Sequence, residues 1–360
     1  MTLKQKIGQL CMFGFDGPVP PSSLLGVLQE WGLGGVILMG SNLKSPLQVL
    51  ELTRALQELA VGPPLFIGVD QEGGRVSRLK PPFTQFPPAA RLGTLGSEEL
   101  ARMVGGVIGK ELRAVGINVD FAPVLDVHTN PDNPVIGDRA FAAEPDVVAR
   151  MGIAFSHGLQ AEGVSATGKH FPGHGDTSID SHLDLPVVHH PKDRLARVEL
   201  HPFRRAIEAG LSMLMTAHVL CPALDPALPA TLSPLILTQL LRNEMAFEGI
   251  IVSDDLSMEA IAARWSVEEA ACRFIEAGGD LILMANDSQS QHAILHGLLH
   301  AVQSNRLSEA RLEASLGRIL KIKKGLSSFG HPVDRDEALG LIGKPEHLEL
   351  ARSLQRHVAG

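Results

Sequence analysis

A (β/α)8 barrel is the fold this 360-residue sequence predicts, and two observations predict it. Eight apolar runs of strand length recur with helical segments between them, and near-continuous apolar runs are the mark of parallel strands covered by helices. A polar or charged residue stands at or just past the end of almost every run, where barrel enzymes place their chemistry.

In chain order the runs are Leu10 to Phe15, Gly35 to Met39, Leu65 to Val69, Ile117 to Pro123, Ser165 to Gly168, Met213 to Ala217, Ile250 to Ser253 and Leu281 to Ala285. Asp70, Asp126, Lys169, His218, Asp254 and Asn286 follow six of them. Between runs five and six, Leu195, Val198, Phe203 and Ile207 recur at helical spacing. Beyond residue 305 the pattern becomes helical, with Leu307, Leu312, Leu316, Ile319 and Leu320 ahead of Pro332 and the polar stretch Asp334 to Glu337. The expected layout is a catalytic barrel over 1–305 and a C-terminal helical extension, 306–360, packed on the same domain. The sequence has no Ser/Gly-rich linker and no repeat beyond the βα alternation.

Composition narrows the class of function. At 44% hydrophobic residues the chain can build a large core, and a net charge of −8 gives no basic footprint for nucleic acid or an anionic membrane. Cys11, Cys221 and Cys272 are odd in number and widely spaced, which argues against a disulfide framework or a structural zinc site. The first apolar run is short and broken by Gly14, Asp16 and Gly17, so neither a signal peptide nor a spanning helix is read there. A cytoplasmic monomer acting on a small molecule, without metal or cofactor, is expected.

Four segments carry the chemistry. Lys169 to His182 holds a lysine, three histidines and two aspartates within fourteen positions, and Pro172, Gly173 and Gly175 forbid a helix, so it is read as a loop. Asp70-Gln71-Glu72-Gly73-Gly74-Arg75-Val76-Ser77-Arg78 puts a carboxylate at a strand end, then glycines that let the backbone turn, then two arginines. Acid and guanidinium groups suit a polyhydroxyl ligand, while an Asp70 to arginine pair that only stabilises a turn is the plainer reading. Asn130 to Arg139 is rich in turn formers that would hold Arg139 on a rigid arm. At the seventh run, Asp254 and Asp255 are adjacent, so only one easily faces the barrel mouth; Asp255 could cap the turn near Ser257, and both could be caps.

Together these segments resemble glycoside hydrolase family 3, in its single-domain β-N-acetylhexosaminidase branch. The resemblance rests on Asp70 to Arg78, Ile136 to Phe141, Lys169 to His182, Met215-Thr216-Ala217-His218 and Ser253 to Met258, in the family's order. It implies that Asp254 is the nucleophile, that His182 is the general acid/base with Asp180 as its partner, and that Asp70, Arg78, Arg139, Lys169 and His170 bind sugar. It also implies a muropeptide-type substrate, peptidoglycan fragments recycled in the cytoplasm. The chemistry is consistent: a retaining glycosidase needs a carboxylate nucleophile and a second group that protonates the leaving oxygen, then activates water. An imidazole oriented by a carboxylate can do both, and a mobile loop would let it approach over the bound sugar.

Two other classes compete. A metal-dependent barrel hydrolase would use Lys169, His170, His218 and Asp254, but no His-x-His pair follows the first run, and Pro172 and Gly173 deny His170 and His174 the helix of a zinc-protease pair. A non-catalytic sugar-binding barrel would keep the pocket without turnover, against which stands the presence of Asp254, His182 and Asp180. With no Tyr and only two Trp, sugar recognition is expected to lean on charged hydrogen bonds.

Overall fold

Eight parallel strands form one sheet in the computed structural model, which describes residues 1–181, 183–326 and 334–356. They are β1 (Cys11–Phe13), β2 (Gly35–Ile37), β3 (Phe66–Val69), β4 (Val119–Asp120), β5 (Ser165–Phe171), β6 (Met213–Thr216), β7 (Ile250–Val252) and β8 (Ile282–Met284). The spatial order runs β8-β1-β2-β3-β4-β5-β6-β7, so neighbours in space follow the chain and the two ends must meet. They do so through a parallel bridge between Val252 and Leu281. At this seam the Leu281 amide donates to Ile251 O at 3.0 Å and the Ser253 amide to Leu281 O at 3.0 Å. The Ser253 hydroxyl oxygen completes it by accepting from the Leu283 amide at 2.9 Å. The result is a closed (β/α)8 barrel.

Every strand lies in a predicted run, but β5 continues three residues beyond Gly168. Lys169 and His170 therefore belong to a strand and not to the loop read from Pro172, Gly173 and Gly175. The ladder holds them: the Lys169 amide donates to Pro123 O at 3.1 Å, and Lys169 O accepts from the Leu125 amide at 2.6 Å. The loop begins only at Pro172, which has no N–H to continue the ladder. A second difference follows Leu195, where the helical spacing is carried by two helices, Lys192–Arg197 and His201–Glu208, the second starting with Pro202 in its first turn.

Helices cover the strands through apolar faces. Glu98–Ala114 starts on Ser97, whose hydroxyl accepts from the Leu100 amide, with Glu98 and Glu99 favourably placed in the first turn. It crosses Pro145–Ala161 so closely that a Cβ on Gly158 would lie 2.2 Å from Arg102 O, and one on Gly105 2.2 Å from Phe155 O. Small residues there set the spacing of the outer layer.

The end of the barrel opposite the strand carboxyl termini is sealed by the helix Glu309–Gly325. Its Lys323 is buried, donates from Nζ to Gln9 Oε1 at 2.8 Å, and lies 4.9 Å from the centre of the Phe66 ring. Nearby, buried Asp280 accepts from the Ile251 amide, the Ser315 hydroxyl (2.7 Å) and Arg318 (3.0 Å), and pairs with Arg242. Further along, Pro345–Arg356 is tied to the barrel by buried Glu111, which accepts from the Thr84 hydroxyl, the Gly343 amide and His347.

Candidate active site

The carboxyl ends of the strands surround a cavity of about 590 Å³. Asp70, Arg78, Arg139, Lys169 and His170 all line it, and so do Asp180 and Asp254. His182 lies outside the described residues. The sequence-predicted residues thus converge from β3, the loop after β4, β5, the loop after β5, and β7.

Lys169 is the hub. Its Nζ lies 2.7 Å from Asp70 Oδ1 and 2.7 Å from Glu72 Oε1, with only 3% of the side chain exposed. Burial disfavours its charge, but the two carboxylates outweigh that and hold its pKa above the ordinary lysine value. Glu72 in turn receives both arms of Arg139, at 2.9 and 2.8 Å. Burial opposes its ionisation too, and Lys169 and Arg139 nevertheless keep it far below the usual carboxylate range. Arg139 sits on the short turn Gly137–Arg139, whose approach is fixed by Asn133 Oδ1 accepting from the Val135 and Ile136 amides. Arg78 approaches Asp70 Oδ2 at 3.5 Å.

Glu72 carried no role in the sequence reading, although it shares parity with Asp70. The chain past β3 forms a short antiparallel hairpin, Gln71–Gly73 with Val76–Ser77, and in an extended segment residues two apart face the same way. That parity was the available signal. Asp126 is the second omission: it was read only as a strand-end residue, and it proves to orient His170. Its carboxylate accepts from the His170 amide, from His170 Nδ1 at 2.7 Å and from the His174 amide at 2.6 Å. A carboxylate oxygen can only accept, so His170 carries its proton on Nδ1 and presents Nε2, 3.5 Å from Arg139 Nη2. A third buried acid, Asp120, accepts from the Gln71 amide at 2.9 Å. Burial first, then the charges of Asp70 and Glu72, raise its pKa well above the usual carboxylate range.

Past the end of β7 both aspartates line the cavity, against the expectation that only one would face the mouth. Asp254 lines the cavity, with Oδ1 accepting from the Asp255 amide at 2.8 Å. Burial works against its charge, yet His218, His170, the Asp255 amide and Lys169 lower its pKa below the ordinary aspartate value. Asp255 accepts from the Ser257 and Ala285 amides and is pushed upward, chiefly by burial. His218, buried and shifted down by burial, donates from Nε2 to Asp255 O at 2.9 Å and meets the Thr231 hydroxyl with Nδ1 at 2.8 Å. It shapes the strand end from behind Asp254.

The loop after β5 is stitched to the loop after β4. Thr129 donates to Asp176 Oδ1 at 2.8 Å, and Asp176 also pairs with His190. Asn130 and Asn133 donate across to Thr177 O and His174 O. A Cβ on Gly175 would lie 1.9 Å from Val127 O, so the two loops touch backbone to backbone there.

Comparison with known proteins places this site in context. Residues 2–322 match the glycosyl hydrolase family 3 N terminal domain. A relative from Nitrosomonas eutropha named beta-hexosaminidase is 43% identical over 288 residues, covering 78% of this chain and 82% of its own length. One from Pseudoalteromonas piscicida, named beta-hexosaminidase A, is 37% identical over 360 residues and 93% of this chain, but the chain spans only 60% of that relative. Among solved structures, a glycoside hydrolase family 3 beta-N-acetylglucosaminidase from Paenibacillus sp. str. FPU-7 superposes with a TM-score of 0.95 at 45% identity, over 98% of this chain and 68% of the other.

Proposed function

The chain belongs to glycosyl hydrolase family 3, and from that premise we propose that it is a retaining β-N-acetylhexosaminidase acting on terminal, non-reducing β-linked N-acetylglucosamine. The observation that carries the reading is one cavity lined both by Asp254, whose pKa is held low, and by a polar cluster of Asp70, Arg139, Lys169 and His170. Relatives named for hexosaminidase activity support the sugar class.

In the proposed reaction the cluster binds sugar hydroxyls through charge-assisted hydrogen bonds, which suits a site with few aromatic side chains. Asp254 attacks the anomeric carbon as the bond to the leaving oxygen breaks, and that oxygen takes a proton from His182, whose imidazole Asp180 orients. A covalent glycosyl-aspartate results. His182 then removes a proton from water, which attacks the same carbon and frees Asp254 with net retention. Asp180 lines the cavity from the loop after β5, which supports the reading. Peptidoglycan fragments as natural substrate, a cytoplasmic setting and a monomeric state belong to the same proposal. Among the described residues no helix is long and apolar enough to cross a membrane.

The metal-dependent alternative asks Lys169 to become a carbamate, which requires a neutral amine. Between Asp70 and Glu72 it is held as an ammonium. Incubation with a 5-fluoro N-acetylglucosaminide, which keeps the acetamido group at C2, followed by peptide mass spectrometry, is expected to place one sugar on the peptide bearing Asp254. A fully active, unlabelled Asp254→Ala variant would overturn the assignment. Running the turnover assay with muropeptide fragments, with and without phosphate, identifies both substrate and acceptor.

A further inference from the structure

His174 has no part in the reaction above, yet it stands between the two working ends of the β5 loop. Its amide donates to Asp126 Oδ1 at 2.6 Å, the same carboxylate that fixes His170. Its ring faces the other way, with Nε2 3.0 Å from the Ser181 hydroxyl and Nδ1 2.7 Å from the Thr177 hydroxyl. All three side chains are buried, at 2%, 2% and 0% exposure. Ser181 follows Asp180 directly in the chain, and its carbonyl accepts from the Ala260 amide at 3.3 Å.

We propose that His174 is a positioning residue that sets the place of the proton-transfer end of this loop relative to the sugar-binding cluster, through its bond to Ser181. The proposal rests on the reading of Asp180 and His182 as the acid/base pair and deepens it.

Asn133 Nδ2 donates to Thr177 Oγ at 3.2 Å, and the Thr177 hydroxyl has two acceptors within reach, His174 Nδ1 at 2.7 Å and His174 O at 3.1 Å. A neutral imidazole has one donor and one acceptor, so in either tautomer it bonds the Thr177 and Ser181 hydroxyls at once. Burial supports this state by pushing the His174 pKa down to about 4, against the opposing charges of Asp126 and Asp254. The relay runs from the β4 loop to the tip beside Asp180. Because Asp126 holds both His170 and the base of His174, displacement of the tip and displacement of the sugar cluster are measured from one anchor.

A shift in the position of an acid matters in proportion to how much the leaving group needs its proton. Ser181→Ala and Thr177→Ala each delete one hydroxyl and little packing. Across aryl N-acetyl-β-glucosaminides of graded leaving-group acidity, Ser181→Ala is expected to lower kcat/KM about tenfold for the poorest leaving groups. For dinitrophenol it should stay within about twofold of the parent, giving a steeper leaving-group slope. Thr177→Ala should steepen the slope in the same sense, and Thr177→Ser should restore it. A loss uniform across the series, or an unchanged slope in well-folded Ser181→Ala, would overturn the proposal. His182→Ala in the same series separates the two levels: a flat response there refutes the acid/base reading itself, whereas a steep one beside a flat Ser181→Ala refutes only the role of His174.

Discussion

Two buried lysines stand at opposite ends of the barrel, and their surroundings drive them in opposite directions. Lys169, at the open mouth, is clamped by Asp70 and Glu72 and is held more firmly charged than a lysine in water. Lys323, at the sealed end, meets the Gln9 amide oxygen and the face of Phe66, and burial lowers its pKa to about 7. Equal burial thus yields a firmly held ammonium in one place and, in the other, an amine that loses its proton around neutrality. The difference is the counter-charge, and it separates a group prepared to meet a ligand from one that closes a core.

Removing charge at the mouth should break this contrast most severely. Asp254→Asn is expected to cut kcat/KM on the order of 10⁴, read with a nitrophenyl N-acetylglucosaminide, since the attacking carboxylate is gone. Next in size is Glu72→Gln, which leaves Lys169 and Arg139 short of a shared buried partner. Urea unfolding should show a loss of roughly 3–5 kcal/mol, and a smaller loss would mean that Asp70 alone suffices as counter-charge. Lys169→Met removes the hub while sparing Asp254, and about a 10²-fold drop in kcat/KM, with unfolding still cooperative, is the expected result.

The smallest effect on turnover belongs to the other lysine. Lys323→Met should leave kcat/KM within about twofold of the parent and act only on stability. The sign follows from proton counting: the folded-state pKa of about 7 lies below the ordinary lysine value of 10.5. Between those two values the unfolded chain binds the extra proton. For the parent, this group therefore makes stability rise as pH climbs through that window and adds no further change below it. Thermal unfolding from pH 6 to pH 10 should show this rise in the parent relative to the Met variant; parallel curves would mean that Lys323 stays charged inside the core.

Much of the architecture was legible because it is periodic. Eight apolar runs announce eight strands regardless of what faces them, and each run contains one. Site residues at strand ends, such as Asp70, Lys169 and Asp254, were legible for the same reason, since the end of a run is a local property. What stayed hidden was pairing across the chain. Glu72 meets Arg139 sixty-seven residues away, and Asp126 meets His170 forty-four residues away. No local pattern distinguishes such a carboxylate from a solvated one. The same blindness made Lys169 and His170 look like loop, because the counter-charges that let them finish a strand lie elsewhere in the sequence.

The seam that closes the barrel has a consequence for amide exchange. At this last joint the Leu283 amide is protected by a side-chain oxygen, that of Ser253, and not by a peptide carbonyl. Replacing Ser253 by alanine removes that acceptor while leaving the neighbouring backbone hydrogen bonds between Ile251, Ser253 and Leu281 in place. Deuterium uptake at Leu283 would then report on the seam alone, one residue from Asp254, and show whether breathing of the closed wall reaches the carboxylate on which the chemistry turns.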